Sequence, residues 1–269
     1  MLARCWPPTR VHCWGGLGSQ LYALNFIFDV KSKFPKKKFI LIQHTSGFTH
    51  RSAELDFLDL DFINVKEIED FDLEFRSSQS SSDKSIKFRT YIKYLLNLTG
   101  FYLFEEHLSK KTKIYNWTLA VRGSYSNIDL DKKLLEFLVS MFKSSSNKTT
   151  VTPNTLAIHY RLGDLLDLQT KPIVQPEEIK KIILLILKNN EIDSVDVYSD
   201  SIDEARKRLD LDYLGAKVNF INCSPLETIN GCFQANYFIG TGSKISFWVL
   251  KLRNFESPTS NSYIAENIS

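Results

Sequence analysis

Thr155-Leu156-Ala157-Ile158-His159-Tyr160-Arg161-Leu162-Gly163-Asp164 is the stretch on which the fold turns. A short apolar run that closes in turn-forming residues predicts a buried strand over Thr155–Tyr160. Read outward toward the C-terminus, the same unit recurs. Pro176–Asn189 has helical spacing, with proline in its first turn and two acids behind it. Val195–Tyr198, Lys217–Ile221 and Tyr237–Ile239 read as strands, and Ile202–Leu209, Ser224–Ala235 and Ser243–Arg253 as the helices between and after them. Strands that alternate with helices predict a parallel, doubly wound α/β sheet. Such sheets bind ligands beyond the carboxyl ends of their strands, so side chains at those ends carry the most functional weight.

Toward the N-terminus, Lys143–Pro153 (KSSSNKTTVTP) is polar and aperiodic and reads as an interdomain linker, giving domains of residues 1–150 and 151–269. The first half opens with a strand at Arg10–Trp14. A glycine loop, a helical pattern from Ser19 to about Lys33 and a strand at Phe39–Gln43 follow. Tyr91–Leu96 and Lys132–Phe142 have helical spacing, Ser77–Ser82 reads as a surface loop, and no internal repeat is present.

The 269 residues, 43% hydrophobic and 24% charged, suit a globular protein that builds its core without disulfides. A net charge of +3 is too small to imply nucleic acid. Lys31, Lys33, Lys36, Lys37 and Lys38 form a basic cluster. It reads as a solvated helix end, or as attraction to an anionic membrane surface or a lipid-diphosphate acceptor. Cys5, Cys13, Cys223 and Cys232 contain no Cys-x-x-Cys pair, which fits free thiols in a reducing cytosol. Sequons begin at Asn97, Asn116, Asn147 and Asn267, but no cleavable signal or membrane span is read. The expectation is a cytoplasmic protein, with peripheral contact at the inner membrane as its extension.

Four motifs sit at strand ends. Gly15-Gly16-Leu17-Gly18-Ser19-Gln20 joins a strand to a helix, where a phosphate or sugar hydroxyl would meet bare N–H groups. A tight turn that packs the helix onto the sheet is the alternative. A dinucleotide fingerprint is not met, because Leu21 stands at the third glycine position counted from Gly16. His159 and Arg161 arrive at a strand end in phase; Arg161 suits a diphosphate clamp, or an ion pair with Asp164, and His159 a ligand contact or a satisfied interior histidine. Asp200 in Tyr198-Ser199-Asp200-Ser201 suits a base edge or a helix cap. Gly240-Thr241-Gly242-Ser243-Lys244-Ile245-Ser246-Phe247-Trp248 suits an anion cradle, with Ser243 as a plain N-cap the alternative. Ser224-Pro225-Leu226-Glu227 is a capping box, so Glu227 is expected to be structural.

Taken in order, these motifs, with Arg122-Gly123-Ser124-Tyr125 before the linker, resemble the bacterial α1,2-fucosyltransferases (glycosyltransferase family 11-like) over roughly residues 11 to 252. The resemblance implies a GT-B fold of two Rossmann-like domains facing a cleft, with an acceptor-side N-terminal domain and a C-terminal domain for the GDP-sugar. It implies inverting transfer of fucose from GDP-fucose without a metal or other cofactor, α1,2 to galactose of a glycan acceptor that is lipid-linked in O-antigen synthesis. It also implies that Gly16, Gly18, Gln20, His159, Arg161, Asp200, Ser243 and Ser246 contact the donor. Leu162 stands where the family has a second arginine and Ser19 where it has asparagine. A related 6-deoxy or dideoxy sugar on GDP is therefore the alternative donor. Arg161 would stabilise the leaving diphosphate, and Glu54 and His44 are the two candidates for the general base. The rival readings are a metal-dependent GT-A transferase and a non-catalytic carbohydrate- or nucleotide-binding protein.

Overall fold

The structure is a computed structural model that describes residues 7–45, 51–55, 57–69, 91, 94–109, 112–145, 154–168, 173–259 and 261–267. The Ser77–Ser82 segment and most of the expected linker, residues 146–153, lie outside the described residues. The chain divides into two compact units, Met1–Leu134 and Leu135–Ser269.

The first unit holds β1 (Thr9–Trp14), α1 (Leu17–Lys33), β2 (Phe39–His44), β3 (Ile63–Ile68), β4 (Tyr102–Ser109) and β5 (Ala120–Asn127). The strands form one sheet in the order β3-β2-β1-β5-β4, every pairing parallel. Val11, Cys13, Leu41 and Val121 are buried with Leu17, Leu21, Leu24 and Ile27 of α1. Strands β3, β4 and β5 were not legible as strands. They alternate weakly, and polar residues such as Lys66, Arg122 and Ser124 interrupt the apolar pattern on which a strand prediction depends.

α2 (Lys132–Ser145) begins in the first unit and continues into the second. It takes in Lys143, Ser144 and Ser145 of the expected linker, and Phe142 packs its ring 5.9 Å from Phe233. The second unit continues with β6 (Thr155–His159), α3 (Gly163–Leu168), α4 (Pro176–Leu187), β7 (Ser194–Tyr198), α5 (Ile202–Leu209), β8 (Lys217–Ile221), α6 (Pro225–Gln234), β9 (Tyr237–Thr241), α7 (Lys244–Glu256) and β10 (Asn261–Ala265). Its sheet order is β10-β9-β6-β7-β8, again all parallel. Alternation splits the residues of β6 between two faces. Leu156 and Ile158 join Ile179 and Ile183 of α4 and Ala205 and Leu209 of α5 in one cluster. On the other face lie Ala157 and His159, with Cys232 and Phe233 of α6 and Trp248 and Leu252 of α7 buried behind them.

Two local devices fix this second layer. Ser224 and Glu227 form the expected capping box at the start of α6. At the other end of α6, Arg253 of α7 is buried and donates to the carbonyls of Cys232, Phe233, Ala235 and Asn236, and to Ser262 Oγ at 2.7 Å. Carbonyls in the last turn of a helix have no partner within it, so one side chain satisfies two of them and the two that follow the helix. Burial pulls the guanidinium down to about 10, still well above neutrality. Arg253→Met is expected to cost about 3 kcal/mol or more, because it strands several buried carbonyls at once. Urea denaturation measures this, and a cost below roughly 1 kcal/mol would remove Arg253 as the staple between α6 and α7.

Candidate functional site

In the second sheet the connections leave β6 toward β7 on one side and reach β9 on the other, so the order reverses between β6 and β9. His159 pairs with Gly240 across that boundary. Gly240 is required here by space, since a Cβ would lie 2.6 Å from Ser246 Cβ. Its bare backbone lets the first turn of α7 close onto β9 and brings Ser246 to His159. Ser246 Oγ lies 2.7 Å from His159 Nδ1. Ser243 caps α7 by accepting from the Ser246 N–H at 3.1 Å, and its hydroxyl donates to Ser246 Oγ at 3.1 Å. Ser243 Oγ also lies 3.3 Å from His159 Nδ1, so both serine hydroxyls converge on that ring nitrogen and Nε2 stands outside the pair of contacts.

Burial drives the His159 imidazole down to about 4 against the pull of Asp200, and the Arg161 charge adds to that depression. The ring is therefore neutral at pH 7 and offers one N–H. Around it, Thr241 ties the two strand ends together. Its hydroxyl donates to His159 O at 3.1 Å and accepts from the Arg161 N–H at 3.3 Å. Asp200 Oδ1 accepts from the N–H groups of Leu162 and Gly163 at 3.0 and 2.8 Å. A Cβ on Gly163 would sit 2.4 Å from Asp200 Oδ2, so the Leu-Gly-Asp turn needs glycine to receive that carboxylate. Asp200 thus holds the loop after β6 rather than capping the helix after β7. Ser201 is the N-cap of α5 and makes no side-chain cap bond. Arg161 is half-buried, Asp200 exposed, and Ser243 and Ser246 buried.

The first unit builds a different cluster at the carboxyl ends of its strands. Gln20 and Gln43 are both fully buried. Gln20 Nε2 donates to Gly15 O and Ser52 O, and its Oε1 accepts from the Glu54 N–H at 2.8 Å. Gln43 Nε2 donates to Gly15 O and Arg51 O, each at 3.0 Å. Two amides thereby clamp the glycine loop to residues 51–54. Gly15, at φ 89°, makes the turn; Gly18 lies inside α1. The clamp sets the Glu54 carboxylate at the start of α1, accepting from the Leu17 N–H, with Oε1 3.5 Å from where a Gly16 Cβ would stand. Burial raises the Glu54 pKa, opposed by that hydrogen bond and by the Arg51 charge. The chain's own carboxylate thus accepts from a backbone N–H at the start of α1.

On the sheet face opposite α1, His44 Nε2 lies 2.8 Å from His12 Nδ1 and the His44 ring stacks on Trp14 at 4.3 Å. The Arg122 guanidinium lies 4.6 Å from the Trp14 ring. Sequence reasoning singled out His44 but missed His12, Trp14 and the role of Arg122. Residues 12 and 14 alternate on one face of a strand that meets a glycine loop, and that was the available signal.

The neutral His159 generates a pH dependence. The unfolded chain binds a proton near pH 6.5 and the folded one only near 4, so stability is complete above about 6.5 and falls between those values. His159 accounts for about 3 kcal/mol of that loss. His159→Gln, which keeps a donor near the Nε2 position, is expected to show a flatter stability profile from pH 7 to pH 4. Equal slopes for the two proteins in denaturant titrations would mean that His159 is not held neutral.

No protein-family model and no curated protein matches the sequence. Solved structures do match in shape. The crystal structure of POFUT1 in complex with GDP-fucose superposes with a TM-score of 0.53 at 11% identity, covering 97% of this chain and 99% of that one. The E. coli heptosyltransferase WaaC with ADP-2-deoxy-2-fluoro heptose superposes at 0.50 and 12% identity, covering 97% and 93%. Likeness at such identity is likeness of fold, and with two all-parallel five-stranded units it makes this chain an α/β protein of the GT-B type.

Proposed function

We propose that the protein is a nucleotide-sugar glycosyltransferase whose second unit binds the donor, and that the donor is a GDP-sugar carrying fucose or a related 6-deoxy sugar. The carrying observation is the strand-end constellation at the β6/β9 order reversal: a neutral histidine, an arginine and a capped helix start, where a doubly wound sheet places its ligand. Structures similar in fold hold GDP-fucose and an ADP-heptose analogue, which supports a sugar nucleotide as the donor.

In this reading Arg161 and the first turn of α7 stabilise the charge that develops on the diphosphate as the glycosidic bond breaks. His159 donates from Nε2 to the donor. Ser243 and Ser246 act through His159, since their buried hydroxyls converge on its Nδ1. Gln20 likewise positions, holding Glu54 and the Gly16–Gly18 loop on the acceptor side. The acceptor hydroxyl attacks the sugar with inversion, and the finer assignment is α1,2 transfer to galactose of a surface glycan, with cytoplasmic placement. Glu54 and His44 are the two proposed bases, each already engaged through one polar atom, Glu54 with the Leu17 N–H and His44 with His12.

Arg161→Ala is expected to fold normally and lose roughly 100-fold or more in turnover, and transfer is expected to persist in EDTA. Full activity in a well-folded Arg161→Ala protein would sink the assignment, and manganese-dependent recovery from EDTA would point to a metal-dependent transferase instead. In the same assay, Glu54→Gln and His44→Gln identify the base by which one lowers kcat.

Nucleotide preference gives an independent test. Guanine presents N1–H and N2–H₂ side by side as donors, and Asp200 Oδ2, the oxygen not used by the Leu162 and Gly163 amides, is the proposed acceptor for that edge. Asp200→Asn keeps an oxygen for the Leu162 and Gly163 amides but loses that second acceptor. Calorimetry is expected to show GDP bound roughly tenfold or more tighter than UDP, with the preference shrinking in Asp200→Asn. Equal affinities in the unmodified protein would remove the basis for a GDP-sugar.

A further inference from the structure

The edge of the first sheet at which its strands begin lies at the far end of the strands from the Glu54 and His44 cluster, and its surface is unusual. Leu98 is 66% exposed and Tyr94 60%, while Phe101 and Trp117 each expose 36%. Tyr94 and Leu98 lie in the helical run 94–98, Phe101 just after the turn that follows it and Trp117 in the turn before β5, and the two turns are locked together. Gly100, at φ 72°, leaves no room for a Cβ, which would meet the Tyr115 ring at 2.4 Å. Tyr115 stacks on Trp117 at 4.7 Å, Trp117 Nε1 donates to Thr99 O at 3.0 Å, and Thr118 Oγ1 donates to Gly100 O at 2.7 Å. The rings are thus held in place at the surface.

The basic cluster adjoins the same turns. Lys37 is buried and its ammonium donates to the carbonyls of Asn116 and Thr118, which ties the loop before β2 to the turn before β5. That bond leaves Lys36 and Lys38 exposed on either side, with Lys113 exposed on the other loop. Lys33 is exposed too but pairs with Asp29, and the Lys38 ammonium donates to Asp61 O. Exposed aliphatic and aromatic groups ringed by lysine match a bilayer surface. The apolar groups enter the acyl boundary, the indole and phenol rings sit at headgroup depth, and the ammonium groups meet anionic lipid. Among the described residues no helix is long and apolar enough to cross a membrane, so the contact would be a surface one.

We propose that this edge, centred on Leu98, Phe101 and Trp117 and flanked by Lys36, Lys38 and Lys113, docks the protein on an anionic lipid bilayer. The surface is separate from the strand-end clusters, so the proposal stands or falls apart from the glycosyltransferase reading.

Co-sedimentation with vesicles of phosphatidylcholine mixed with phosphatidylglycerol tests it, against vesicles of phosphatidylcholine alone. The protein is expected to partition onto the mixed vesicles only, and less so as salt is added. Leu98→Asn should lower partitioning roughly tenfold, and the double variant Lys36→Gln with Lys38→Gln about 25-fold. Leu184→Asn, at a 56% exposed position on α4 of the second unit, should leave it unchanged. Circular dichroism and GDP titration of each variant report folding and donor binding separately from docking. Equal binding to both vesicle types, no binding to either, or loss with Leu184→Asn but not Leu98→Asn would overturn the proposal. So would a dimer that Leu98→Asn dissolves in the absence of vesicle binding, since the occupant would then be a second copy of the chain.

Discussion

Backbone groups that leave a parallel sheet at its carboxyl edge must find partners outside the sheet, and this requirement shapes everything around the proposed donor site. After β6 the chain turns sharply through Arg161, Leu162 and Gly163, and three amides lose their ladder partners. Thr241 takes the first and Asp200 the other two. Because these partners come from β9 and from the end of β7, the loop is held by both neighbours of the central strand. Arg161 is therefore delivered by a backbone braced on two sides. A side chain meant to meet a diphosphate in a fixed geometry needs that support, because a bidentate contact loses its advantage when its base is loose.

The same edge shows how buried polar side chains divide between touching a ligand and positioning one that does. Ser246 is fully buried, and its hydroxyl is used by His159 and Ser243. In a medium that penalises unpaired polar atoms, such a group holds a proton in one place rather than waiting for a substrate. Its partner His159 is kept neutral by burial. Gln20 and Gln43 do the equivalent work in the first unit, where glycine supplies the turn and the amides keep it from opening. A glycine-rich loop between strand and helix thus serves here to seat a carboxylate, Glu54, at the start of α1. That carboxylate partly satisfies the positive end of the helix.

The sequence alone determined the alternating architecture of the second half and the capping box at Ser224 and Glu227. Those features are local: period-two and period-3.6 patterns, proline in a first turn, and a hydroxyl three residues ahead of a glutamate are all written within a few positions. β3, β4, β5 and β10 escaped because their residues are half-polar, and a strand of that kind is specified by its neighbours more than by itself. The tertiary structure decided what the marked side chains do. Asp200, readable as a base contact or a cap on its own helix, also clamps a loop 37 residues away in sequence, and Ser246 packs its hydroxyl against His159 Nδ1. Arg253, unmarked in the sequence, became the staple of another helix. Each outcome depends on which backbone atoms come within hydrogen-bonding distance after the sheet has formed. A residue's type fixes what it can donate or accept, but only the packed fold chooses its partner.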